Sequence, residues 1–287
     1  MTRLIGSLAE VSQGYDTLYC DLWGCLHNGH RPYPEAVAAL VGFREAGGRV
    51  VLLTNAPRPS RFVVATLDRM GVPREAWDLV VSSGDAAQAA LAAGDVGRKV
   101  WHLGPAKDMG FFDLPGGQTV ELVSLEEAEG IVCTGPFNEY VETPEDYRAR
   151  LTDARDRGLP LLCTNPDLIV DFGDRRIYCA GALAGLYDDL GGRSLYFGKP
   201  HAPIYDLAGA EVRALTGGEQ GRILAIGDGV GTDIKGAAAQ GIDALFVTGG
   251  LAAAEFGPEV EAPDPALVDR WLAAQGQSPA YAIGRLR

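Results

Sequence analysis

Thr17-Leu-Tyr-Cys-Asp21-Leu-Trp-Gly-Cys-Leu-His-Asn-Gly29 is the stretch on which the reading of the fold turns. Its first four residues favour a strand and run straight into a carboxylate, with Gly24 just beyond. A short run without polar alternation fits a strand buried on both faces, as in a parallel sheet covered by helices. In open parallel sheets ligands bind beyond the carboxyl ends of the strands, and Asp21 stands at such an end. Gly24 permits a turn in which backbone N–H groups face an anion.

Four further segments repeat the pattern. Gly48-Arg-Val-Val-Leu-Leu-Thr54-Asn55 ends on two hydrogen-bonding side chains, and Gly221-Arg-Ile-Leu-Ala-Ile-Gly-Asp228 ends on a carboxylate. Asp78-Leu-Val-Val-Ser82 and Asp243-Ala-Leu-Phe-Val-Thr248 read as strands as well. Ala-rich stretches with helical spacing lie between them, at 34–47, 59–70 and 233–240, and a last helix is expected over 265–274 behind a connector at 251–268. This alternation predicts an α/β fold with a Rossmann-like parallel sheet core. A single Asp at a strand end is ordinarily a cap or turn residue. Asp21, Thr54, Asn55 and Asp228, gathered from three strand ends, point instead to one site.

The spacing predicts an insertion. Asp21 to Thr54 is 33 residues and Lys199 to Asp228 is 29, each suited to one strand–helix–strand step, whereas Thr54 to Lys199 is 145. Within that gap Lys99-Val-Trp-His-Leu, Glu129-Gly-Ile-Val-Cys-Thr and Pro160-Leu-Leu-Cys-Thr resemble strands. Pro144 to Arg157 resembles a helix with Thr143 as N-cap and Asp146 near N3. The expected organisation is a core of 1–84 and 193–287 carrying a smaller inserted α/β cap of 85–192.

Composition narrows the function classes. The 287 residues carry a net charge of −13, with no Lys/Arg cluster, which argues against nucleic acid and against an anionic membrane surface. An acidic chain that binds phosphate must concentrate positive charge locally, through a metal or a few placed cations. The five Cys include no C-x-x-C pair, so buried thiols in a reducing compartment are expected rather than a disulfide scaffold or zinc cluster. The first residues lack a signal-peptide apolar run, and no run reaches the ~20 residues of a membrane span. The expected location is the cytoplasm.

The chemistry resides in four motifs. Asp21 can attack phosphorus and form an acyl-phosphate, dividing one hard step into two. Thr54 and Asn55 can donate to phosphate oxygens at a helix N-terminus, or merely cap that helix. Lys199, in Phe197-Gly-Lys-Pro-His201, is a countercharge held on a turn. Asp228 and Asp233, in Ile226-Gly-Asp-Gly-Val-Gly-Thr-Asp-Ile234, suit Mg²⁺, which prefers a few carboxylates with water and substrate phosphate. Asp228 is placed to ligate directly and Asp233 to act from behind it.

The ordered set Asp-x-x-Gly, Thr-Asn, Gly-Lys-Pro and Gly-Asp-x-x-x-x-Asp resembles the haloacid-dehalogenase-like hydrolase superfamily. The placement of the inserted unit, with Cys163-Thr-Asn-Pro-Asp167 and Cys179-Ala-Gly-Ala-Leu183, resembles its class IIA branch of NagD-type and nitrophenyl-phosphatase-like enzymes. The resemblance implies Mg²⁺-dependent hydrolysis of a small phosphorylated metabolite through an aspartyl-phosphate. It implies Asp21 as nucleophile and metal ligand, the Trp23 backbone carbonyl and Asp228 as further ligands, and Asp233 near them. It gives Thr54, Asn55 and Lys199 to the phosphate, and a homodimer through the cap. Asn165 and Asp167 are candidates for substrate contact, or for an Asn-Pro turn.

One position departs from the pattern. Phosphatases of this superfamily carry a second Asp two residues after the nucleophile, where this chain has Trp23. That acid–base group is worth ~10²–10⁴-fold, so either slow turnover or a substrate whose leaving group needs no proton is expected. His27 is a candidate replacement with a pKa suited to neutral pH, against the alternative of a packed hinge residue. Two other readings stand beside the phosphatase: a low-turnover module that binds or senses a phosphorylated ligand, and a carbon–halogen hydrolase, whose leaving halide needs no proton.

Overall fold

The computed structural model describes residues 2–172 and 175–287. The chain divides into two compact units, one of Met1–Thr54, Val64–Val81 and Tyr205–Arg287, the other of Asn55–Val63 and Ser82–Ile204.

The first unit is built on a seven-stranded sheet in the order Arg3–Leu4, Tyr281–Ile283, Asp243–Val247, Ile223–Gly227, Thr17–Cys20, Arg49–Thr54, Leu79–Ser82. Pairing is parallel from Arg3–Leu4 across to Arg49–Thr54. Thr17–Cys20 is buried at every position, and Ile223–Gly227 and Asp243–Val247 at all but their first. That burial explains why these strands lack polar alternation. Helices Pro34–Glu45, Ala202–Thr216, Lys235–Ala239 and Pro265–Ala274 belong to this unit or run into it. One apolar cluster joins Ala225, Phe246, Phe256, Val268 and Leu272, with Trp271 stacked on Phe246 at 5.7 Å.

Register fixes the strand ends. Cys20 lies opposite both Ile226 and Leu52, so Asp21, Asp228 and Thr54 leave the sheet at neighbouring points on its carboxyl edge. The Asp21 N–H donates to the Ile226 carbonyl at 2.8 Å, holding the nucleophile candidate to the Asp228 strand.

The second unit carries a five-stranded parallel sheet ordered Arg193–Tyr196, Pro160–Cys163, Gly130–Cys133, Lys99–Leu103, Glu121–Leu122. Its core includes Leu103, Ile131, Tyr147, Leu161, Leu183 and Tyr187. Thr143 forms the expected capping box with Asp146, whose carboxylate accepts from the Thr143 N–H at 2.7 Å. The element it opens is a 3₁₀ turn, Pro144–Tyr147, continued by the α-helix Arg148–Asp156. An antiparallel hairpin of Ile169–Phe172 and Arg175–Tyr178 stands apart from the sheet.

The expected resumption of the core at 193 is corrected here. Arg193–Tyr196 pairs with Pro160–Cys163 in the second sheet, Arg193 opposite Pro160 and Tyr196 opposite Cys163. Among the described residues no helix is long and apolar enough to cross a membrane.

Candidate active site

Asp21 follows strand Thr17–Cys20 and enters a tight loop. The Gly24 N–H donates to the His27 carbonyl at 3.0 Å, and the Leu26 and His27 N–H groups both donate to the Leu22 carbonyl. Gly24 has φ of +74°, and a Cβ there would fall 2.1 Å from Asp228 Oδ2. Gly250, beyond the adjoining strand Asp243–Val247, is as tightly placed, its virtual Cβ 1.9 Å from the same oxygen. The Leu251 N–H donates to Asp228 Oδ2 at 2.9 Å. Asp228 is thus gripped between two glycine backbones, a close approach that a side chain at either position would block. Gly250→Ala is expected to displace the carboxylate and weaken divalent-cation binding by about 10–100-fold, readable by calorimetric titration.

Asp21, Asp228 and Cys25 bring one ligand atom each within 4.8 Å of one another. Asp21 and Asp228 are buried, and so is Cys25. Burial, then the adjacent Asp228 and Asp21 carboxylates, hold the Cys25 thiol well above its ordinary range, so without a cation it is neutral. Cys25 was not among the residues expected here, though it lies within the loop motif, four positions after Asp21. Gly250 was also missed; the sequence signal is the Gly-Gly pair that follows Thr248 at a strand end.

Asp233 lies outside this three-residue cluster. Its Oδ2 accepts from the Gly229 N–H at 3.1 Å, and Val230–Ile234 forms a π turn. Through that bond Asp233 shapes the loop that presents Asp228. Thr54 is buried at the end of its own strand.

The second unit assembles a separate set. The Asn55 side chain closes on a single turn: its Oδ1 accepts from the Lys199 N–H at 2.7 Å, and its Nδ2 donates to the Lys199 carbonyl at 3.0 Å and to Asp167 Oδ1 at 2.8 Å. Both amide protons are spent on the chain itself. The Asn55 side chain thereby latches the Lys199 turn. Asn165 forms the Asn-Pro turn, its Oδ1 accepting from the Asp167 N–H at 3.0 Å. Asn165 Oδ1 and Asp167 Oδ1 are thereby both bonded within the second unit. Asn55→Ala leaves the buried Lys199 N–H and carbonyl without this partner. It should cost about 2–4 kcal/mol, checked by thermal melts.

His27 is buried, with its ring edge-on to Trp23 at a centroid distance of 5.2 Å. Its Nδ1 accepts from the Gly29 N–H at 3.1 Å, which puts the proton of the neutral ring on Nε2. Burial lowers its pKa to about 4. This geometry gives His27 a packing role and leaves it uncharged at neutral pH. Its folded pKa lies below the unfolded 6.5, so its stability contribution is complete above pH 6.5 and is lost as pH falls through about 4. His27→Gln should flatten the rise in melting temperature between those limits. If His27 serves as catalytic base, the pH–rate profile of the same variant loses its acid limb; an unchanged profile excludes that role.

Comparison with known proteins agrees with the motif order. The family profile "Haloacid dehalogenase-like hydrolase" matches residues 18–116, and a second, "HAD-hydrolase-like", matches 196–273. A haloacid dehalogenase-like hydrolase from Brucella suis is 42% identical, with a TM-score of 0.86, over 99% of this chain and 100% of that one. The p-nitrophenyl phosphatase from Archaeoglobus fulgidus shares the fold at 21% identity and a TM-score of 0.70, over 94% and 96% of the two chains. A glycerol phosphate phosphatase from Mycobacterium tuberculosis, in complex with magnesium, is 25% identical with a TM-score of 0.64, over 84% of this chain and 70% of that one. No curated protein matches the chain. Two family profiles, a neighbour 42% identical over its whole length, and the carboxylate pair at the sheet edge agree: the chain belongs to the haloacid dehalogenase-like hydrolases.

Proposed function

We propose that the protein is a Mg²⁺-dependent phosphatase of a small phosphomonoester, acting through an aspartyl-phosphate on Asp21. The observation that carries this reading is the meeting of Asp21 and Asp228 within 4.8 Å, at the carboxyl ends of adjacent strands. The donor set suits the cation: two carboxylates supply hard oxygens, and the closeness of Gly24 and Gly250 holds one of them in place. Asp21 and Asp228 would hold Mg²⁺, with the Trp23 carbonyl as the third group that the family resemblance implies. Bound there, the ion would offset the negative charge that otherwise keeps a carboxylate from approaching a phosphate.

An Asp21 oxygen attacks phosphorus, forming the aspartyl O–P bond as the P–O bond to the leaving group breaks. Thr54, and Lys199 on the turn fixed by Asn55, are the phosphate-holding hydroxyl and positive charge that the family resemblance implies. The departing oxygen takes its proton from solvent, because the Trp23 side chain has none to give. Water then cleaves the aspartyl-phosphate and restores Asp21. Trp23 also favours a second reading, in which the acyl-phosphate persists and the protein acts mainly as a phosphate-ligand sensor.

Substrates to try first are small polyol and sugar phosphates and nucleotides, the polyol phosphates because of the glycerol phosphate phosphatase likeness. The decisive experiment is a Mg²⁺-dependent phosphate-release screen over such a library. Release that needs Mg²⁺ supports the enzyme; protection against unfolding by phosphate esters without release supports the sensor. The same proposal includes a homodimer through the cap, supported by exposed Leu168 and Tyr178 beside and in the hairpin and tested by light scattering. Five buried thiols agree with a reducing, cytoplasmic location.

A further inference from the structure

Cys25 has no part in magnesium chemistry. Mg²⁺ takes oxygen ligands, and a thiol at its edge contributes nothing to its binding. Yet the thiol is held there firmly. The loop that carries it is pinned by the Gly24–His27 and Leu22–Leu26 backbone bonds, and Cys25 itself is 1% exposed. Cys20, the other thiol of this segment, donates to the Asp21 carbonyl at 3.2 Å and is outside the carboxylate cluster. Among the described residues Cys25 is the one cysteine whose sulfur shares a ligand-sized space with two carboxylates.

One sulfur and two carboxylate oxygens form a borderline-soft donor set. Zinc binds Cys sulfur at ~2.3 Å and carboxylate oxygen at ~2.0–2.2 Å, which needs donor separations of about 3.5 Å. The three atoms here lie within 4.8 Å of one another, close to that spacing. For such a set the affinity order runs well in favour of zinc-like ions over magnesium.

We propose that Asp21, Cys25 and Asp228 form an alternative site for a thiophilic divalent cation of the Zn²⁺ or Cd²⁺ class, which excludes Mg²⁺ and switches the enzyme off. The proposal rests on the metal reading of Asp21 and Asp228 given above. Binding breaks the Cys25 S–H bond, forms a sulfur–metal bond and releases one proton to solvent, with no change of oxidation state. Inhibition follows because an ion held by the Cys25 sulfur together with the Asp21 and Asp228 carboxylates keeps Mg²⁺ out of the place the reaction needs it.

Co²⁺ is the probe, because a thiolate ligand gives it a near-ultraviolet charge-transfer band that oxygen ligands do not. Metal-free protein titrated with Co²⁺ should develop this band, Cd²⁺ should abolish it by displacement, and Mg²⁺ should not do so at equal concentration. The band should disappear in Cys25→Ser and persist in Cys20→Ser, with Cd²⁺ affinity in Cys25→Ser lowered about tenfold or more. Cys25→Thr provides a second variant if the serine protein does not fold, and the wild-type spectrum is informative without either. Calorimetric Co²⁺ binding without the band overturns the proposal, as does a band that survives both Cys25 variants. Mg²⁺-dependent phosphate release, measured separately, distinguishes the two failures. If release is intact and the band absent, the thiophilic mode alone is lost. If neither divalent binding nor release is seen, the metal reading falls with it.

Discussion

Asp21→Asn is expected to lower Mg²⁺-dependent phosphate release by about 10⁴-fold or more while leaving the protein folded. An amide of nearly the same shape occupies the nucleophile's place but cannot form an acyl-phosphate. Folding should not suffer. Asp21 and Asp228 are both buried, with carboxylate oxygens within 4.8 Å. The amide keeps the size and shape of the carboxylate, so the metal-free variant should melt close to the wild-type temperature. Added Mg²⁺ should raise the wild-type melting temperature, since it binds only the folded state, and should do so far less for the variant. A variant that keeps more than a small fraction of wild-type release would remove Asp21 from the nucleophile's role, whatever its melting behaviour.

The residues in that prediction were legible in the sequence because each follows a strand buried along all or nearly all of its length. A run such as Ile223–Gly227 has no polar alternation, and its length and the Gly-Asp that follows mark both the strand and its carboxyl end. Other features depend on partners distant in the chain. Arg193–Tyr196 is half-buried, and nothing in its four residues states that its neighbour is Pro160–Cys163 rather than a strand of the first sheet. Asn55 shows the same limit at a single side chain. Its place after Thr54 marks a site, but its amide is spent on Lys199 and Asp167, which lie 144 and 112 residues further on. Gly250 is a spacing requirement, visible once the Asp228 carboxylate is seen beside it. Cys25 was in plain view within the motif, yet only the folded loop brings its sulfur to the carboxylates.

Trp23→Asp is expected to raise steady-state turnover by about 10²-fold or more, through the acid–base group that this position otherwise lacks. In the wild type, nothing at this position protonates the leaving oxygen or activates the water that cleaves the acyl-phosphate. The second step should therefore be slow, and rapid mixing with a substrate whose leaving group needs no proton should show a burst of about one leaving group per site before a slow steady state. The aspartate variant should lose that burst as its steady-state rate climbs. The substitution has a structural cost. The Trp23 indole lies against Gly29, where a Cβ would come within 2.4 Å of its ring, and meets His27 edge-on. Removing a half-buried ring from this loop should cost about 1–3 kcal/mol, visible in the melting temperature. Trp23→Asn carries the same loss of packing without a titratable group, so it separates the two effects: its stability should fall as far, and its turnover should not rise. If Trp23→Asp still binds Mg²⁺ and turns over no faster than Trp23→Asn, the missing carboxylate is not what limits this enzyme. The slow step must then be sought in product release or in the first attack.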